Sequence, residues 1–243
     1  MKAMILAAGE GTRLRPLTDR CPKPMLPVAG RPLLEHTLAW LHAHGICEVA
    51  INLHHLPQVI PNHFGDGGRF GVRITYSLEK ELLGTAGAVR RLSEFFGGET
   101  FVVVYGDVLT DLDLSALLRF HRAHGGVGTV ALYRVSNPTA CGLVELDWDG
   151  RIVRFLEKPR PEEVFTNLAN AGVYVLEPQV IAHIPSDGPS DFGRDVFPAL
   201  LQHKLALYGY IIPATARLID IGSPEHYRLA QELFGPSARK ELG

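Results

Sequence analysis

Near the amino terminus KAMILAA, apolar throughout after Lys2, is too short for an amphipathic helix and reads as a buried strand over 2–8. After a glycine- and proline-rich loop, PLLEHTLAWLHAHG places Leu33, Leu34, Thr37, Leu38 and Leu41 on one helical face and stops at Gly45. ICEVAINL and VRITYSL read as two further strands, TAGAVRRLSEFF as a helix, and TFVVVYGD as a continuous apolar strand ending in an aspartate. Strands that alternate with helices in this way predict an α/β fold whose sheet is mostly parallel and covered by helices.

Past residue 111 the pattern changes. DLDLSALLRFHRAHG is a helix ended by Gly125, VGTVALYRV is a strand, and LVELDWDGRIVRFLEKP is a hairpin turning at Asp149 and Gly150. NAGVYVL and ALYGYII add strands, and IGSPEHYRLAQELF closes with a helix that Ser223 caps and Pro224 opens. This half reads as more antiparallel. No repeat, low-complexity linker or charge run divides the chain, so it reads as one domain over 1–243, with a first half to about residue 110 and an elaborated second half over 111–243.

Composition narrows the function. A chain of 243 residues that is 46% hydrophobic and 21% charged is long enough to bury a full core. With a net charge of -2 it lacks the basic field of a nucleic-acid binder, so any cationic character is local. Cys21, Cys47 and Cys141 are odd in number and widely spaced, which argues against a disulfide framework or zinc site and for a reducing, cytoplasmic setting. The first apolar run is too short for a leader and is followed by Glu10, Arg13 and Arg15, and no stretch approaches the ~18 apolar residues of a membrane span.

The candidate chemistry starts at AAGEGTRLRPLTDRCPKPMLPVAGRPLL, residues 7–34, where five prolines and several cations follow a strand directly. Glycines allow close backbone approach, prolines hold one path, and the cations call for an anion such as phosphate. GEGTRL carries two glycines of a dinucleotide fingerprint, but Leu14 stands where the third would be, and no G-K-[ST] follows.

The stretch over 7–32 resembles the signature of the sugar-1-phosphate nucleotidylyltransferases. LGTAGAV at 83–89, YGDV at 105–108, FLEKP at 155–159, NAGVYV at 170–175 and LIDIGSPEHY at 218–227 follow in the order that family shows. The resemblance implies a three-layer Rossmann-like sheet with helices on both faces and a smaller antiparallel elaboration on the sugar side. It also implies transfer of a nucleotidyl group from a nucleoside triphosphate to a sugar 1-phosphate, with release of pyrophosphate. Two polyanions must then meet. Even unit charges 4 Å apart repel by ~4 kcal/mol at an effective dielectric near 20, so fixed cations and a divalent metal are expected.

By the same resemblance, Arg13 and Lys23 act on the triphosphate and the transferred phosphoryl group, Lys23 being stiffened by Pro22 and Pro24. Asp107 and Asp220 are Mg²⁺ ligands, and Mg²⁺ needs few carboxylates besides phosphate oxygens and waters. Leu6, Ala8, Gly9, Gly11, Thr12, Gly84 and Thr85 line the nucleotide. Thr85 also reads as a helix cap. Gly142, Glu157, Lys158 and Asn170 cradle the sugar phosphate, with Cys141 standing where the family commonly has tyrosine. YGDV and LGTAG are similar to the mannose-1-phosphate guanylyltransferases, which implies GTP and mannose 1-phosphate. The ending IDIGSPEHYRLAQ is similar to heptose-1-phosphate guanylyltransferases, and uridylyl- and thymidylyltransferases for other hexose phosphates share most motifs. The chain stops after the closing helix, so no carboxyl-terminal β-helix is expected, and any homo-oligomer would use core surfaces. The opposing reading is a catalytically silent nucleotide-sugar sensor, against which the retained Arg13, Lys23, Asp107 and Asp220 count.

Overall fold

A computed structural model of the chain describes residues 1–235. In chain order, β1 (Lys2–Leu6) leads through the loop to the short strands β2 (Pro27–Val28) and β3 (Arg31–Pro32), then α1 (Leu33–Ala43), β4 (Glu48–Leu53), α2 (Val59–Phe64) and β5 (Arg73–Leu78). Next come α3 (Gly84–Arg91), α4 (Ser93–Phe96), β6 (Phe101–Tyr105), β7 (Val108–Thr110), α5 (Leu114–His124) and β8 (Gly128–Arg134). The hairpin β9 (Gly142–Leu146) and β10 (Ile152–Glu157) follows, then β11 (Leu168–Leu176), α6 (Phe197–Gln202), β12 (Leu207–Ile211), β13 (Leu218–Asp220) and α7 (Pro224–Phe234).

Several boundaries differ from the sequence pattern for identifiable reasons. The first strand stops at Leu6 and not at residue 8, because the Ala7 N–H is taken by the Asn52 side-chain oxygen at 2.7 Å, which turns the chain out of the ladder. The helix expected over 85–96 breaks at Leu92, whose φ of -104° and ψ of 22° are not helical, and its second piece ends at left-handed Gly97. The helix expected from 111 starts at Leu114, since the Asp113 side chain accepts from Ala116 N and caps it. The hairpin turn forms as the pattern predicts. Asp147 Oδ1 accepts from the backbone of Asp149 and Arg151, and Gly150 supplies a φ of 79°. Ser223 caps α7 as expected, accepting from His226 N at 3.2 Å.

The chain divides into two compact bodies, each discontinuous in sequence. One holds 2–82, 104–112 and 214–235; the other holds Met1, 83–103 and 113–213. In the first, β1 pairs with β4 and β4 with β5, all parallel, while β7 and β13 pair antiparallel with Asp220 opposite Val108. In the second, β12 runs parallel to β8, but β8 to β11, β11 to β9 and β9 to β10 are antiparallel. The class is α/β, parallel where strands and helices alternate and antiparallel in the elaboration.

Within the first body, buried Leu14, Leu26, Val28 and Leu33 form one apolar cluster with Leu109, Ile219, Ile221 and Ala230. The glycine- and proline-rich loop, β7, β13 and α7 thus share a core, and Ala29 N and Pro27 O are bonded to the Gln231 side chain, with Tyr227 Oη also donating to Pro27 O. Leu14 is 1% exposed. Leu14→Ala should cost about 2–5 kcal/mol in urea unfolding, and a loss below about 0.5 kcal/mol would show that the loop is not anchored through this cluster.

Candidate active site

The loop after β1 is held by short-range turns and two long-range bonds. Gly11, at φ 65°, opens a turn of 3₁₀ helix over Thr12–Leu14, and a Cβ there would lie 2.9 Å from Thr18 Cγ2, so only glycine fits. Thr18 Oγ1 donates to Gly11 O at 2.8 Å, and His55 Nε2 donates to Thr18 O at 2.7 Å. Gly9 and Thr12 are exposed, Ala8 is buried, and Leu6 accepts from Gly106 N at 2.9 Å. Gly106 is required for this approach, because its Cβ would lie 2.7 Å from Leu6 O.

Pro22 and Pro24 are both buried and frame Lys23 in a further 3₁₀ turn. The consequence is a nearly fixed ammonium. Lys23 Nζ lies 2.5 Å from Asp107 Oδ2, with the two side chains 13% and 23% exposed. Asp107 follows β6 and Gly106, and its backbone oxygen accepts from Ile221 N at 3.0 Å. That bond, with the β7–β13 pairing, places Asp220 beside it. Asp220 Oδ1 is buried and has no hydrogen-bond partner among the described residues. Burial first, and the charge of Asp107 second, push the Asp220 carboxyl up from its ordinary value to about 6, against the pull of Lys23. Gly222 makes room for Arg13: a Cβ there would lie 2.8 Å from the guanidinium and 2.9 Å from Asp220 Oδ1. Arg13, Lys23, Asp107 and Asp220 are thus brought together in one body.

The orphaned Asp220 oxygen and a second carboxylate paired with the Lys23 ammonium are the donor set expected of an Mg²⁺ site that is completed by phosphate oxygens. Among the described residues no cluster of three or more His, Cys, Asp or Glu side chains offers an alternative.

The other expected residues fall in the second body. Gly142 and Glu157 are register partners in β9 and β10, and Lys158 follows at φ 48° with its N–H on Cys141 O at 3.0 Å. Burial raises the Glu157 carboxyl above its ordinary range, opposed by Lys158 and Arg194 and reinforced by Asp191. Asn170 is engaged locally. Its Nδ2 donates to Tyr174 Oη at 2.7 Å and its Oδ1 accepts from Gly172 N at 2.9 Å, beside a register shift in β11.

Gly84 and Thr85 open α3, but Thr85 is not its cap. Leu83 holds the cap position without a side-chain bond, and the capping comes from afar: Thr85 N donates to Asp191 Oδ1, while Ala86 N and Gly87 N donate to Ser190 O. Thr85 Oγ1 donates to Asp191 Oδ1 and accepts from Phe192 N. These amides are committed to the protein. Asn52, Thr18, His55, Ser190 and Asp191 were not legible as site-supporting residues, because each acts across a long sequence separation.

The nucleotidyl transferase family matches residues 2–234, and the chain belongs to it. Among relatives, a mannose-1-phosphate guanylyltransferase from Mycobacterium tuberculosis is 42% identical over 226 residues, covering 93% of this chain and 62% of that protein. A UTP-glucose-1-phosphate uridylyltransferase from Synechocystis sp. is 40% identical over 240 residues, covering 93% and 61%. The chain therefore spans less than two thirds of the length of these curated relatives. Among solved structures, HddC from Yersinia pseudotuberculosis complexed with GMP-PN matches with a TM-score of 0.80 at 26% identity, over 96% of this chain and 99% of that one. No helix of the described residues is long and apolar enough to cross a membrane.

The raised Asp220 carboxyl has a signed consequence. Between its ordinary 3.8 and about 6 the folded, metal-free chain holds a proton that the unfolded chain has released, so this group's contribution to stability falls as pH rises through that window and is level above it. Thermal melts in chelator between pH 4 and 7 should show a smaller fall for Asp220→Asn than for wild type. Parallel curves would remove Asp220 as the source.

Proposed function

We propose that the chain transfers a nucleotidyl group from a nucleoside triphosphate to a sugar 1-phosphate and releases pyrophosphate, with GTP and mannose 1-phosphate as the substrate pair. The observation that carries this reading is the Arg13–Lys23–Asp107–Asp220 cluster: two crowded carboxylates, one with an orphaned oxygen, and two cations on a stiff loop. Likeness to the guanylyltransferases supports guanine. The uridylyltransferase relative supports UTP with glucose 1-phosphate as the second reading.

In the reaction, a phosphate oxygen of the sugar 1-phosphate attacks the α-phosphorus, a new P–O bond forms, and the bond to the bridging oxygen of pyrophosphate breaks. No covalent enzyme intermediate is needed, since the nucleophile is already an anion at neutral pH. Asp107 and Asp220 would hold Mg²⁺, which when bound neutralises triphosphate charge. Lys23 holds Asp107 in the metal-free chain and presents its ammonium to the transferred phosphoryl group when substrate binds. Arg13 clamps phosphate oxygens through its planar fork. Glu157 accepts hydrogen bonds from sugar hydroxyls, and Lys158 faces the sugar's phosphate. Cys21, Cys47 and Cys141, present as thiols and not as disulfides, fit a reducing, cytoplasmic setting.

The test is Mg²⁺-dependent pyrophosphate release across GTP, UTP, dTTP, CTP and ATP against mannose, glucose, N-acetylglucosamine and heptose 1-phosphates. GTP with mannose 1-phosphate should dominate, and Lys23→Ala should lower kcat/KM by about 10²–10³-fold. Absence of pyrophosphate from every pair would overturn the reading.

A further inference from the structure

We infer that His55, in the turn after β4, is a positioning residue for triphosphate binding: it seats the loop that carries Arg13 and Lys23. The inference rests on the proposed transfer reaction.

Its basis is where the loop's hydrogen bonds go. Residues 8–21 bond almost entirely with one another. Leu14 N, Arg15 N and Asp19 N donate back to Gly11 O, Thr12 O and Pro16 O, and Arg15 pairs with Glu10 and Asp19. Turns of this kind set local curvature and leave open where the loop sits on the body. Among the described residues, the hydrogen bond that joins this stretch to the rest of the chain is the one from His55 Nε2 to Thr18 O, at 2.7 Å. The buried Leu14 side chain supplies the apolar anchor beside it.

Thr18 passes that restraint on to both cations. It is 1% exposed, and while its carbonyl accepts from His55 its Oγ1 donates to Gly11 O at 2.8 Å. Gly11 opens the turn over Thr12–Leu14 that carries Arg13. A Cβ at Gly11 would lie 2.9 Å from Thr18 Cγ2 and 3.3 Å from Lys23 Cβ, so this glycine packs against Thr18 and Lys23 at once. A shift of Thr18 therefore moves the seat of Arg13 and of Lys23 together.

His55 is itself presented from a fixed strand end. Asn52, 3% exposed, takes the Ala7 N–H on its Oδ1 and donates its Nδ2 to Glu79 Oε1 at 2.8 Å. Glu79 N donates to Leu53 O at 2.8 Å, and His54 Nδ1 donates to Glu79 O at 2.9 Å. The end of β4 is thus tied to the end of β5, and from there Asn52 holds the start of the loop and His55 its middle. Cations held in place before the ligand arrives lose less freedom on binding a polyanion.

Steady-state kinetics, with calorimetric binding of non-hydrolysable GTP and UTP analogues and of mannose and glucose 1-phosphates, test this. His55→Leu keeps bulk and removes the donor, and His55→Gln restores an N–H with similar reach. His55→Leu should raise KM and Kd for the triphosphate about tenfold, the loss of one hydrogen bond, and leave the Kd of the sugar phosphates unchanged. His55→Gln should recover most of that affinity. Thr18→Val breaks the next bond along, should show the same selective loss, and replaces His55→Leu if that variant does not fold. Unchanged triphosphate affinity in the folded variant would overturn the inference, as would an equal loss of sugar-phosphate affinity or a loss that His55→Gln does not recover. If wild type binds the triphosphate but releases no pyrophosphate, the transfer reaction fails, and a selective loss in His55→Leu still upholds the assignment.

Discussion

The first body is organised around two carboxylates that its own backbone crowds together. Asp107 and Asp220 are brought side by side by the β7–β13 pairing and the bond from Ile221 N to Asp107 O, neither of which involves the carboxylates. Burial raises the cost of charging Asp220, and the ammonium of Lys23, which contacts Asp107, and the guanidinium of Arg13 pull against it. One oxygen of Asp220 has no hydrogen-bond partner among the described residues. Carboxylates held together by main-chain pairing cannot relax by moving apart, so they stay side by side.

The rest of that body keeps the offsetting cations in place. Lys23 is positioned by prolines whose rings are buried, and Arg13 by a turn that only glycine at 11 permits. Leu14, next to Arg13, is sunk in the same apolar cluster as Ile219 and Ile221, which flank Asp220. Cations and carboxylates therefore share one core. The second body uses a different device: glycines 142 and 193 clear space around Glu157, and Asp191 ties the start of α3 to the turn that carries Arg194.

What was legible in the sequence was local. The hairpin turn at Gly150 and the cap at Ser223 are written in turn chemistry over a few residues and formed as expected, and the strands are written in periodicity up to their boundaries. Arg13, Lys23, Asp107 and Asp220 were found through motif order, and the fold places them in one cluster. What was hidden depends on distant partners. Nothing around KAMILAA shows that Asn52 ends its strand, and nothing in LGTAG shows that Ser190 and Asp191 take its amides. Helix 85–96 is not one element: Leu92 suits a helix by propensity, yet its backbone takes a φ of -104° and a ψ of 22°.

The most direct measurement is an electron paramagnetic resonance titration of Mn²⁺ into the chain saturated with a non-hydrolysable GTP analogue, comparing wild type with Asp220→Asn. A metal held between Asp107 and Asp220 requires saturable binding in wild type and at least about tenfold weaker binding in the variant. Equal Mn²⁺ affinity in the two proteins would contradict the charge cluster as the metal and phosphate centre.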